Sequence, residues 1–110
     1  MRGLFILVLW IWPLVALAHN APSGWAYDAE CCSGVDCAPA PVGGVRETRS
    51  GYVIIIEPGG HPMVPANAPP LVALVPHGDP RLRVSGDEQR HVCISYSRAV
   101  LCVYVPPGGV

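Results

Sequence analysis

The chain has 110 residues, with seven basic side chains against eight acidic ones and a formal net charge of −1. That leaves no length for a two-domain enzyme and no basic surface for nucleic acid. Hydrophobic residues make up 51% of the chain, but Phe5, Trp10, Trp12 and a block of Leu, Ile and Val all fall in residues 1–18. The remainder has one Trp, one Met and no Phe, yet keeps every proline and glycine except Pro13 and Gly3. Such a composition excludes long helices and favours short strands joined by turns.

Residues 1–18 begin Met1-Arg2, run through an apolar stretch from Leu4 to Leu17 broken by Pro13, and end Ala16-Leu17-Ala18 before His19. A charged start, an apolar middle and small residues at the −3 and −1 positions read as a secretory signal peptide cut after Ala18, leaving residues 19–110 as a single small domain. As a membrane span the stretch falls short of the ~20 apolar residues required, and Pro13 weakens its helix. No later stretch is long enough to span, and a lipid anchor would need Cys where His19 stands. The expectation is a secreted or periplasmic protein with no stable membrane anchor once the signal is removed.

From residue 19 to 28 the chain is polar and turn-prone except for Trp25 and Tyr27, which are expected to pack under a sheet rather than form an exposed aromatic patch. Residues 28–32 can make one helical turn, and residues 38–41 run extended. The best strand signal is residues 45–49 followed by 52–57 around a Ser50-Gly51 turn. Tyr52, Ile54 and Ile56 point to one face and Val53 and Ile55 to the other, so the second strand is expected to be central or covered on both sides. After Pro58-Gly59-Gly60, residues 61–64 could add a short edge strand. Residues 71–75 are an apolar run between prolines, equally consistent with a strand and an ordered loop. Residues 81–84 lead toward another strand, residues 85–88 form a turn, and residues 91–96 and 99–105 read as an antiparallel hairpin around Ser97-Arg98. Residues 106–110 are expected to have no regular structure.

The cysteines are Cys31, Cys32, Cys37, Cys93 and Cys102, and in an oxidising compartment two bridges and one remaining thiol are the simplest count. Zinc and thioredoxin-like readings fail because no spacing is Cys-x-x-Cys. With Ser97-Arg98 as the whole turn, Tyr96 faces Ala99 and Cys93 faces Cys102, their sulfurs on one sheet face, where they can bond to each other or both reach a third segment. A bridge such as Cys32 to Cys102 is worth roughly 4.4 kcal/mol in loop entropy, against roughly 2.7 for Cys93 to Cys102. The hairpin is already held by its own ladder and residues 31–37 are not. Bridges tying residues 31–37 onto the hairpin are therefore favoured, and a bond between Cys31 and Cys32 is the least favoured.

Four pieces, His-x-Ala-Pro-Ser-Gly-Trp-x-Tyr (19–27), Cys-Cys-Ser-Gly-x-Asp-Cys (31–37), His-x-Cys (91–93) and Cys-x-Tyr-x-Pro-Pro-Gly (102–108), resemble a group of short exported proteins of bacteria and their phages. The likeness covers both ends of the chain after the signal and leaves residues 38–89 loosely matched. It implies export and a cysteine framework. It supplies no mechanism; the phage-carried relatives permit an accessory role, such as blocking a competing phage or inhibiting an envelope enzyme, and nothing in the residues selects between those.

Cleavage after Ala18 would expose His19 as the first residue, offering an amine and an imidazole together. With a second imidazole from His91, or from His61 or His77, that set forms the flat three-nitrogen site preferred by copper(II), a histidine brace. The simpler reading is a frayed terminal residue with no cofactor. Hydrolytic chemistry finds no support, since Gly-x-Ser-x-Gly, His-Glu-x-x-His and a phosphate loop are all missing. His77-Gly78-Asp79 reads as a turn, Glu47 and Glu57 as solvated strand ends, and Arg81, Arg83 and Arg90 among Asp79, Asp87 and Glu88 as an ordinary mixed surface. The whole reads as a mainly β, disulfide-stapled domain of four to six short strands in antiparallel hairpins with little helix. Its expected work is non-enzymatic, binding a protein or envelope component outside the cytoplasm, with copper binding through His19 and His91 as the alternative.

Overall fold

The structure, a computed structural model, describes residues 20–32 and 36–109 together with Gly3. Among the described residues seven strands follow in chain order: β1 (Cys37–Pro39), β2 (Val45–Thr48), β3 (Gly51–Ile56), β4 (Leu71–Pro76), β5 (Leu82–Val84), β6 (His91–Ile94) and β7 (Val100–Val105), with a short 3-10 turn at Pro107–Gly109. They form a four-stranded sheet in the order β1-β6-β7-β5 and a three-stranded sheet in the order β2-β3-β4. Neighbours are antiparallel except β5 and β7, which run parallel. The domain is thus mainly β, with one strand more than the four to six expected. The extra one, β1, is three residues long and contains Pro39, too short for alternation to reveal.

The two sheets pack face to face. Val45, Tyr52, Ile54, Ile56, Leu71 and Val75 from the smaller sheet meet Val92, Ile94, Val100 and Val103 from the larger one in a continuous buried cluster. As expected, β3 is the central strand of its sheet. Its hairpin with β2 turns one step earlier than the sequence suggests. Thr48 faces Gly51, so Arg49-Ser50 is the turn, and Thr48 Oγ1 donates to the Gly51 carbonyl at 2.8 Å. Gly51 is needed inside the strand: its φ is 141°, and a Cβ there would stand 2.3 Å from the Val75 carbonyl oxygen. The shift moves each cross-strand partner by two residues, so every side chain keeps its face. Residues 71–75 resolve as strand, whereas residues 61–64 close a tight turn, with Val64 N donating to His61 O at 2.9 Å, in place of the edge strand expected there.

Cys93 does face Cys102, but by a different route. The connection spans three residues: Ser95 N donates to Ala99 O, Arg98 N donates to Ser95 O, and Arg98 sits at φ 65°. That turn alone would offset the ladder by one residue. A bulge at Leu101 restores it, so Ile94 faces Val100 while Cys93 faces Cys102. The same bulge lets Val100 and Val103 both reach the inter-sheet core while Cys102 and Tyr104 point to the opposite face.

Candidate functional site

That opposite face of the four-stranded sheet is covered by residues 20–32, a segment with little apolar surface of its own. Two disulfides fix it. Cys31 reaches Cys102, and Cys37 pairs with Cys93 across the β1–β6 ladder. Both tie residues 31–37 to the hairpin, as loop entropy favours, and Cys32 is left as a buried thiol. The single helical turn at residues 28–32 is present, with Cys31 N and Cys32 N both donating to Asp28 O. Under it, Tyr27, Ala21, Tyr104 and the cysteines form a second buried cluster against which Trp25 packs. The two rings are therefore core, as expected. Trp25 meets Tyr27, His91 and Tyr104 edge-on at centroid distances of 4.9, 5.0 and 5.1 Å.

The polar edges of these rings converge on Asp87. Its Oδ2 accepts from Ser23 Oγ at 2.7 Å and Trp25 Nε1 at 2.9 Å, and its Oδ1 accepts from His91 Nε2 at 2.7 Å, Gln89 N at 2.8 Å and Ser85 Oγ at 3.0 Å. On the other side of the imidazole, Tyr27 Oη lies 2.8 Å from His91 Nδ1. Nε2 donates to the carboxylate, and Nδ1 and the phenol oxygen share the second bond. Burial opposes the charge on Asp87, but the hydrogen bonds from His91, Trp25 and Ser23 outweigh it and hold the carboxyl well below the usual carboxylate range. Burial, with the Asp87 charge behind it, raises the Tyr27 phenol. Nearby, Tyr104 donates to Asp28 Oδ2 at 2.8 Å and accepts from Asp28 N at 2.9 Å; burial and then the Asp28 side chain push its phenol up to about 12.

Tyr27, His91 and Asp87 have the order of a proton relay, but Tyr27 is 1% exposed and His91 0%. Together with the Ser23 and Trp25 bonds to Asp87, these hydrogen bonds hold residues 20–28 to the loop before β6. Gly86 completes the fit: a Cβ there would lie 2.5 Å from Trp25 Cγ and Cδ2. The ring is confined by Tyr27, His91 and Tyr104 and cannot retreat. Gly86→Ala is expected to lower stability by about 1–3 kcal/mol, read as a reduced denaturant midpoint with an unchanged slope.

The remaining candidates separate. His19 lies outside the described residues. His91, its proposed copper partner, has both ring nitrogens engaged, so a metal there would have to displace Asp87 or Tyr27. His61 is likewise occupied, with Nε2 donating to Val92 O at 2.8 Å and Nδ1 accepting from Met63 N at 3.0 Å, and burial lowers its pKa. His77 donates Nε2 to Thr48 O at 2.8 Å. Among the described residues no group of three or more His, Cys, Asp or Glu is placed to hold a metal ion. The arginines expected to be ordinary surface make specific ties. Arg81 pairs with Asp79 at 2.9 Å, Arg83 bridges Asp28 and Glu30, and Arg90 donates to Val45 O and lies over the Tyr52 ring.

One large surface has no cover among the described residues. On the outer face of the three-stranded sheet, Val53 and Ile55 of β3 lie beside Leu74 and Val72 of β4; Val72 is 70% exposed and Leu74 49%. Next to it a groove of about 510 Å³ runs between the loops before β2 and after β3, with Ile55, Arg46 and Glu57 among its walls. Sequence reasoning missed both this face and the role of Asp87. The alternation in residues 71–75 does not tell which side is covered, and Ser85-Gly86-Asp87 carries only a turn signal. Comparison with protein-family models, with curated proteins and with solved structures finds no match for this chain.

Proposed function

We propose that the chain is a small exported, non-enzymatic binding or accessory protein that acts in the periplasm or outside the cell on a protein of the envelope. Two disulfides are consistent with an oxidising compartment, and the signal-like residues 1–18 agree with export. The observation that carries the binding role is the contrast between the two outer faces. One is sealed by a cross-linked segment and a buried hydrogen-bond knot; the other presents Val53, Ile55, Val72 and Leu74 on a rigid sheet. Aliphatic side chains grouped on a stiff surface suit recognition of another protein more than chemistry on a small substrate.

The test compares the exported wild-type protein with Val53→Lys, which places a charge in the middle of this face without touching the core. Both are immobilised and exposed to envelope extract after their melting temperatures are shown to agree. A protein retained by the wild type and lost from Val53→Lys supports the reading. No retained protein, or equal retention by both, overturns it.

A further inference from the structure

The outer edge of β4 carries a second, separate signal. Ile55 N donates to Gly44 O, toward β2, so in β3 the amides of residues 52, 54 and 56 point to β4. They face residues 75, 73 and 71. It follows that the N–H and C=O groups of Val72 and Leu74 point away from the sheet, where no hydrogen bond meets them among the described residues. The positions that flank them on the same edge are prolines. Pro70 and Pro76 have no N–H, the Pro70 carbonyl accepts from Arg98 at 3.1 Å, and the Pro76 carbonyl accepts from Asp79 N at 3.1 Å. The edge therefore offers two donors and two acceptors, bracketed at both ends.

We propose that this edge pairs with the same edge of a second copy, antiparallel about a two-fold axis at Ala73. In that register Val72 faces Leu74 of the second copy and Leu74 faces Val72 of the second copy. Each facing pair exchanges two bonds, and the four unpaired groups of each chain are all satisfied. A register displaced by two residues would set an open donor or acceptor against proline or an occupied carbonyl. Charge permits the approach: residues 65–76 carry no charged side chain, so identical strands meet without like-charge repulsion. Edge strands that avoid pairing usually carry such a charge or a proline. Here the prolines stand at the two ends, Pro70 opposite Pro76 of the second copy, and confine the pairing to the short stretch between them. The product is a six-stranded sheet on which the aliphatic faces of two copies become one surface. Pairing uses the edge and not the middle of the face, so it stands or falls independently of envelope binding.

Sedimentation equilibrium from micromolar to millimolar concentration, combined with amide hydrogen exchange on the folded chain, tests it. The expected result is a reversible monomer–dimer equilibrium in which the amides of Val72 and Leu74 gain protection with concentration. Those of residues 71, 73 and 75 are protected throughout. Val72→Lys is expected to weaken the dimer at least tenfold, and Val42→Lys, at a fully exposed position on the loop before β2, to leave it unchanged. A monomer at all concentrations, a dimer in which the Val72 and Leu74 amides exchange as in the monomer, or a dimer insensitive to Val72→Lys would each overturn the proposal.

Discussion

Replacing Cys93 and Cys102 together with serine is expected to remove about 7 kcal/mol of stability, most of what a domain of this size holds at the middle of its range. The Cys31–Cys102 bridge spans 71 residues and the Cys37–Cys93 bridge 56. Either one, formed alone, restricts the unfolded chain by about 4 kcal/mol. The two are not independent. Once one is closed, the other completes a ring of roughly 15 residues running through the 31–37 segment and the hairpin, worth about 3 kcal/mol. A single loss, as in Cys102→Ser, should thus cost about 3 kcal/mol and a double loss about 7. A domain of this size has about 5–13 kcal/mol in all. Urea unfolding separates the cases: Cys102→Ser shows a cooperative transition at lower denaturant, and the double variant falls at least twice as far or shows no transition. Similar midpoints for wild type and double variant would mean that the sheets need no covalent tie.

The second large effect belongs to the Asp87 carboxylate, whose hydrogen-bond partners among the described residues are all donors. Asp87→Asn keeps the shape but turns one acceptor into an N–H₂ group facing either Trp25 and Ser23 or His91, Ser85 and the Gln89 amide. Hydroxyls can rotate away, but the indole and imidazole N–H groups are fixed by the rings around them. A buried donor left without an acceptor costs about 1–3 kcal/mol, and the loss of the charge adds to it, so a decrease of about 3–4 kcal/mol is expected. The pH dependence gives a second signature. The folded-state pKa of Asp87 is depressed, so its contribution is complete above the unfolded carboxylate value near ~3.9 and is lost as pH falls below it. Wild-type stability should drop steeply with acid below about pH 4, and that of Asp87→Asn should drop less. Parallel profiles would show that the knot does not stabilise the fold through the ionised carboxylate.

Much of the fold is legible from local pattern. The alternation of Tyr52, Ile54 and Ile56 marks a central strand, turn residues bound the hairpins, and three cysteines within residues 31–37 identify the segment that needs fastening. What escapes are features in which two deviations cancel or in which the partner is distant in sequence. The facing of Cys93 and Cys102 depends on a three-residue turn offset by a bulge at Leu101; a two-residue turn with a regular ladder gives the same pairing and is simpler to assume. Asp87 meets Ser23 and Trp25 across more than sixty positions, a relation no spacing rule contains. His91 appeared as a possible metal ligand because its environment is invisible locally; the structure supplies a phenol on one nitrogen and a carboxylate on the other. The open edge of β4 depends on the register with β3, which fixes the direction of each amide.

Digestion of the exported protein without reductant, followed by mass spectrometry of the linked peptides, tests the covalent frame on which the sealed face depends. Free thiols are first alkylated under native conditions and again after unfolding. The expected products are one peptide pair joining Cys31 to Cys102 and another joining Cys37 to Cys93, with Cys32 labelled only after unfolding. A peptide joining Cys93 to Cys102, or all five thiols open to the native label in a folded protein, would contradict the account.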